Sequence, residues 1–381
     1  MKKIFVFLLA FVFGFAVFGV CASAQDAPEQ TQAQGYIEQS GIEAYADALG
    51  SEAEQFLKDI GLEKLSAENI YHLDFSHILK AVLSLFRSSL KESGKQLLHL
   101  CAVVVIAAFA DAFGAGLKSA KSEKIFSICA GLCIALLLFT PMSALIAQSG
   151  AAIEGASAFS IGAVPIACVI LAAQGKSISA AIFSASALGI SQMISTLFTS
   201  FFLPLNHILL GVGVGTALDN TFQSEKMIAV IRKYLLVILS GFSVLYFTVL
   251  SVRTNLSGAV DEGAMKSLKF ASSAFVPVIG SAMSDSASAV IASLNVSKSA
   301  IGAFGIVCIL AVFMPLLCKI LLWLAGLEAI ALLSSVFELQ TVKKMLCNFS
   351  QALRVLLIIL IFCIVIFMMN FAAVVQMRGS V

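Results

Sequence analysis

The chain has 381 residues, of which 60% are hydrophobic and 12% charged, against roughly 45–50% and about 25% in an ordinary soluble domain. This composition excludes a plain soluble globular protein. The net charge is only +2, so overall charge gives no indication of nucleic acid as a partner. Residues 25–95 nevertheless carry 12 Asp/Glu against 6 Lys/Arg. An acidic front part and an apolar remainder indicate two different environments.

Residues 1–24 have the pattern of a secretory signal peptide. Lys2 and Lys3 precede an uncharged apolar run, and the small residues Ala22-Ser23-Ala24 follow it. A basic start, an apolar stretch and a small-residue site are the three parts of such a signal. We expect cleavage after Ala24; the alternative is an uncleaved first membrane helix.

Residues 25–95 are predicted to form an extracytoplasmic, acidic, helical region. Its last helix carries an apolar stripe at three- and four-residue spacing, which is the period of one helix face. The stripe either packs on a weaker stripe that ends in Phe56 and Ile60, or docks on another protein or the membrane surface. It comprises Phe75, Ile78, Leu79, Val82, Leu83, Phe86 and Leu90.

Residues 96–381 are predicted to form a polytopic membrane domain. Most of their apolar segments approach the roughly 20 residues that a membrane-spanning helix needs. The expected fold is an all-α membrane helix bundle with about eight spans, within a range of six to nine. The segments lie near residues 97–117, 125–147, 157–174, 178–203, 205–218, 234–252, 300–324 and 353–376.

The basic residues predict an orientation. If the front is exported, the first span runs inward, and the basic loop from Lys118 to Lys124 is then cytoplasmic, as the positive-inside rule requires. The same scheme places Lys176 inside and the C-terminus outside.

Residues 253–298 are too polar for a lipid-facing helix and are interrupted by proline and glycine. Such backbone is tolerated at membrane depth only when it is buried in protein or lines water. The segment is therefore either re-entrant or discontinuous, or it is an amphipathic surface stretch. A shorter stretch that ends at Pro165 has a similar interruption, and paired broken segments indicate a translocation site.

Polar side chains within apolar segments are the remaining candidates, because a charge costs at least ~2.5–3.5 kcal/mol at the bilayer centre. Asp111 is expected to face the bundle interior. Together with the interrupted segments, these side chains give a set of candidate pore, gate or polar membrane positions: Asp111, Pro165, Asn206, His207, Asp261, Glu262, Pro277, Gly280 and Asp285.

The sequence carries no recognisable catalytic motif. A phosphate-binding Gly-Lys-Ser/Thr loop, Gly-x-Ser-x-Gly and His-Glu-x-x-His are all missing, and the chain has only four His residues. We therefore expect no enzyme activity, no metal and no cofactor. An ATPase that supplied energy would be another chain.

The segments Val252-Arg253-Thr254, Gly263 to Phe270, Phe275 to Gly280, Ser284-Asp285 and Gly302 to Ile306 resemble the stage III sporulation protein AE family of endospore-forming Firmicutes. The resemblance covers most of the membrane part and is strongest over residues 240–315. The order of signal peptide, small helical exported region and polytopic domain is also similar.

The resemblance implies a component of the multi-protein channel that connects the mother cell and the forespore. Its location would be the mother-cell-derived membrane around the forespore, with residues 25–95 in the intermembrane space. Besides the lipid membrane, the implied partners are an ATPase, ring-forming proteins and small membrane proteins of the same operon, and a forespore-side channel protein.

Three functions stay open on the residues alone. The first is a channel or permease-like subunit, in which residues 253–298 and the Pro165 stretch line or gate a passage. The second is a scaffold that anchors partner proteins without conducting. The third, an ion-coupled secondary transporter, is less supported because Asp111 alone is a convincing intramembrane carboxylate. Small residues such as Gly211 and Gly213 suit close packing within the chain or a homo-oligomer equally.

Overall fold

The computed structural model describes residues 51–60, 75–116, 120–174, 176–218, 224–275 and 280–376. Every element in these ranges is helical, which confirms the all-α prediction. A π-helical turn, Phe198–Phe202, joins two of the helices. The α-helices are α1 (Ser51–Asp59), α2 (Phe75–Gly116), α3 (Ala120–Ala173), α4 (Ser177–Leu197), α5 (Leu203–Leu218), α6 (Ser224–Phe275), α7 (Gly280–Val336) and α8 (Gln340–Gln376).

Six helical stretches in the described residues are long and apolar enough to cross a membrane, which is the lower end of the expected range. The eight apolar segments become six because two pairs of them merge. The segments near 125–147 and 157–174 both belong to α3, and those near 178–203 and 205–218 form one rod from α4 through the π-turn into α5. The stretches are Lys80–Ala110, Ile128–Ala173, Ser177–Gly215, Lys226–Val252, Ile301–Val336 and Gln340–Val374.

Prolines do not end these helices. The expected break at Pro165 is wrong, because α3 continues through both Pro141 and Pro165 to Ala173. A proline removes one backbone hydrogen bond, but helices that span a membrane tolerate this loss when their neighbours support them. At Pro204 the preceding π-turn widens the helix, with the Leu203 N–H donating to the Phe198 carbonyl five residues back.

The core of the bundle is the antiparallel pair α7 and α8. In their most apolar windows 89% and 72% of residues are buried, against 22% in α2 and α6. Such burial fits helices that are apolar on every side. Helix α7 also packs on α1, α2 and α3, whereas α8 packs on α3, α5 and α6.

The helices define one basic end of the bundle. Helix α5 ends where α6 and α8 begin, and Arg232 of α6 donates a hydrogen bond to Gln351 of α8 there. The N-terminal parts of these two helices also carry Lys226, Lys233, Lys343, Lys344 and Arg354.

Lys176 lies at the other end, contrary to the expectation from the eight-span scheme. It follows α3 near a small apolar cluster that contains Leu171, Phe183 and Val374, the last of these close to the end of α8. The physical reason is that α3 crosses the whole bundle as one helix, so it ends opposite to where it begins.

Residues 253–298 are helical over most of their length. Helix α6 continues past its apolar stretch to Phe275, and α7 begins at Gly280. Pro277 lies outside the described residues. The structure thus gives helical backbone at Asp261, Glu262 and Asp285, but their side chains are not among those described.

Candidate functional site

Asn206 and His207 of α5 lie in the bundle interior. Asn206 is 1% exposed, and neither its Oδ1 nor its Nδ2 has a hydrogen-bond partner among the described residues. His207 lies against α3, with its Nε2 3.4 Å from Ser143 Oγ and its Nδ1 3.2 Å from the Leu203 carbonyl oxygen. A buried amide without partners costs about 1–3 kcal/mol. A further polar group that hydrogen-bonds to Asn206 would therefore stabilise the fold.

A second polar group lies toward the other end of the bundle. Asn370 of α8 is 3% exposed, and within the described part of the chain both of its side-chain polar atoms lack partners. Ser191 of α4 is 1% exposed; its Oγ likewise has no described partner, although its carbonyl accepts a bond from Ser157 Oγ at 3.1 Å. Asn370 and Ser191 were not among the positions predicted from the sequence. The available signal was an asparagine within the apolar segment 353–376.

Four phenylalanines connect the π-turn, α6 and α8 between these two polar places. We call them the Phe198 cluster (Phe198, Phe202, Phe242 and Phe362). The ring centroids of Phe198 lie 4.8 Å from Phe202 and 5.8 Å from Phe362, and both pairs are stacked. Phe242 meets Phe362 edge-on at 6.5 Å. These separations are the favourable range for aromatic pairs. Phe198 and Phe202 are fully buried and Phe242 and Phe362 partly buried, so the cluster forms an aromatic layer that reaches from the core toward its edge.

Charged residues pair across the helices. Lys319 of α7 has a 12% exposed side chain, and its Nζ is 4.0 Å from Glu92 of α2. Glu328 pairs with Arg354, and both side chains are more than a third exposed. Lys319 was not among the predicted positions, although a lysine within an apolar segment is a signal that the sequence offers.

Several predicted positions stay untested by geometry. Asp111 belongs to α2 and Gly280 begins α7, but their side-chain surroundings are not described. The role of Asp111 as an intramembrane carboxylate therefore stays a prediction. Pro165 has an exposed position on α3, away from the core.

The predicted docking stripe on α2 is largely unpartnered where it is described. Leu83, Phe86 and Leu90 are 69%, 40% and 50% exposed, whereas Val82 is partly buried. The side chains of Phe75, Ile78 and Leu79 lie outside the description. Helix α1 packs on α7 and on α2, with Phe56 and Ile60 buried and Ser84 Oγ 3.3 Å from Asp59 Oδ2. Leu83, Phe86 and Leu90 stay exposed beside it, so packing of one stripe on the other is not seen at these residues.

In the described part of the chain, six apolar helical stretches of spanning length, two of which form a buried central pair, define a polytopic α-helical membrane protein. Stage III sporulation protein AE is the family that matches residues 59–378, and the chain belongs to this family. It is thus a multi-pass membrane protein of sporulation.

A relative in Bacillus subtilis (strain 168), Stage III sporulation protein AE, is 20% identical over 259 residues. The matched region covers 68% of this chain and 62% of that protein, so less than two thirds of the relative's length is spanned. No solved structure matches.

Proposed function

We propose that the chain is a channel or permease-like subunit of the complex that connects the mother cell and the forespore. Its place would be the mother-cell-derived membrane around the forespore, with residues 25–95 in the intermembrane space. The ATPase, the ring-forming proteins and the small membrane proteins of the same operon would be its partners, with a forespore-side channel protein opposite. Family membership over residues 59–378 supports this setting.

The buried Asn206 is the observation that supports a conduit. A scaffold is best served by a dry, fully satisfied interior, since an unpaired buried amide destabilises the fold. Asn206 keeps both amide atoms free of partners in the described interior, one residue before His207, which contacts α3. Polar groups held inside a membrane bundle at a cost in stability are a mark of substrate or ion pathways.

The test replaces the amide with an apolar group of similar size. In an endospore former that lacks its own family protein, Asn206→Leu should reach normal membrane levels but strongly lower the activity of a late forespore reporter. Ile208→Leu, on the exposed side of α5, is the matched control and should leave the reporter unchanged. Full reporter activity with Asn206→Leu would contradict the conduit role.

The second candidate is a non-conducting scaffold, and the exposed α2 stripe favours it. Contiguous exposed apolar residues on a helix mark sites that contact another protein or the membrane, and Leu83, Phe86 and Leu90 belong to the spanning stretch Lys80–Ala110. Leu83→Asp with Phe86→Asp should then reduce co-purification of the operon's other proteins at least about tenfold, while Ser88→Asp, also exposed on α2, should not. Intact co-purification with the double variant would count against the scaffold.

A further inference from the structure

One face of the α4–α5 rod carries polar and aromatic residues in a fixed order. Ser191, Ser195, Phe198, Phe202 and Asn206 follow each other at three- and four-residue spacing, and all are buried. This spacing keeps them on one side of a helix. Along this face, two polar residues, two aromatic residues and one further polar residue follow each other over a length of about 22 Å, given a helical rise of about 1.5 Å per residue.

Helix α8 repeats part of this order on the opposing side. Phe362 stacks on Phe198, and Asn370 follows Phe362 by eight residues, about two turns further along α8 and about 80° around its axis. Helix α8 runs antiparallel to the rod: Gly213 adjoins Phe349 near the basic end, and Val374 clusters with Phe183 near the other. Asn370 and Ser191 thus lie on one side of the Phe198 cluster, and Asn206 lies on the other.

The unmet hydrogen bonds of the two amides restrict the chemistry of any group that would bind there. A neutral asparagine offers an acceptor at Oδ1 and two donors at Nδ2, and both kinds of atom lack described partners in Asn206 and Asn370. A cation would satisfy only the oxygen and an anion only the nitrogen. Water satisfies both, and buried water typically makes about three bonds to groups of this kind.

We propose that two water-filled polar sites lie in the bundle, one at Asn206 and one at Asn370 and Ser191, and that the Phe198 cluster separates them. The inference deepens the proposed conduit, on which its biological role rests. Hydrophobic constrictions gate membrane passages by excluding water. The π-turn places Phe198 and Phe202 in this layer, and such turns occur frequently at functional sites.

The experiment measures access of water to single thiols from each side of the membrane. Full-length Asn206→Cys and Ser191→Cys proteins, with the native cysteines replaced, are placed in vesicles of uniform orientation and treated with a membrane-impermeant methanethiosulfonate. The control protein keeps only the native Cys363, which is fully buried beside Phe362. Because only the hydrated thiolate reacts quickly, both variants should react at least about tenfold faster than Cys363.

The side of the membrane from which each thiol reacts tests whether the Phe198 cluster separates the two sites. The Asn206→Cys thiol should react only from the basic end and the Ser191→Cys thiol only from the other. Adding Phe198→Ala should open access of the Ser191→Cys thiol from the basic end, and Phe198→Leu, which keeps more of the packing, should give a smaller increase in the same direction.

If both variants react as slowly as Cys363, the proposal that the two sites contain water is wrong. Reaction of either thiol from both sides with Phe198 intact would overturn the barrier. Labelling does not depend on sporulation, so the two proposals can fail separately. The expected labelling pattern together with a fully active Asn206→Leu reporter strain would contradict the conduit function but support the two hydrated sites.

Discussion

At the scale of single residues, close packing of the core depends on two glycines of α7. A Cβ added at Gly305 would lie 2.1 Å from Cδ1 of the Phe371 ring, and one added at Gly326 would lie 2.5 Å from a methyl group of Leu97. The Phe371 ring is itself packed 5.5 Å from Phe159. Small residues let membrane helices approach closely. These two glycines therefore set the distance of α7 from α8 and from α2.

Gly305→Ala should lower the stability of the bundle by about 1–3 kcal/mol, because the added methyl group overpacks a filled core. Thermal unfolding of the purified protein in detergent measures this. Gly241→Ala is the matched control: nothing lies within 4 Å of its added Cβ, and alanine is the better helix former by up to ~1 kcal/mol. Equal melting temperatures for Gly305→Ala and the parent would contradict the packing argument.

The sequence could show some of the buried polar residues but not others. Asn206 and His207 stood out because they follow Pro204 inside an apolar segment. Asn370 and Ser191 did not, since their importance depends on which face of a nearly uniformly apolar helix is buried. Hydrophobic periodicity cannot show that when every side of a helix is apolar. Their missing partners become visible only in the packed bundle.

At the scale of elements, the turn between α7 and α8 is a Schellman motif that stops one helix and starts the next. The Leu339 N–H donates to the Ser334 carbonyl at 3.0 Å and the Glu338 N–H to the Ser335 carbonyl at 3.3 Å. Glu338 has a φ of 60°, the left-handed conformation that this motif requires. Glycine adopts this conformation more easily than glutamate.

Glu338→Gly should therefore stabilise the protein by about 0.5–1 kcal/mol: the left-handed conformation costs a non-glycine residue about 1–2 kcal/mol, and the added freedom of the unfolded chain offsets up to ~1 kcal/mol of that gain. Glu338→Gln, which removes the charge but keeps the backbone requirement, should leave the melting temperature unchanged. A lower melting temperature for Glu338→Gly would show that the glutamate side chain itself supports the turn.

Helix existence was predictable, whereas helix boundaries were not. Each apolar segment of spanning length is helical in the structure, because backbone polar groups must be satisfied within the segment at membrane depth. The breaks expected near residues 148–156 and at Pro165 and Pro204 fail for a different reason. Packing of α3 against the α4–α5 rod, including the Ser157 to Ser191 bond, holds the backbone helical through them.

At the scale of the whole molecule, charge and packing agree on one orientation of the bundle. The basic clusters of α6 and α8 lie at one end, as the positive-inside rule predicts for the cytoplasmic side. Six spans, like eight, return the chain to the side on which it started. The predicted external C-terminus is therefore compatible with either count, and the two counts differ in the position of the α3–α4 connection.

The most direct test of the six-span fold is the side of the membrane on which that connection lies. Ser177 is exposed at the start of α4, and the native Cys347 is exposed at the basic end of α8. In proteins that keep only one thiol each, Ser177→Cys should react with an impermeant reagent in intact cells, and Cys347 only after the membrane is opened. Reaction of both thiols from the same side would contradict a single continuous α3 and with it the six-span account.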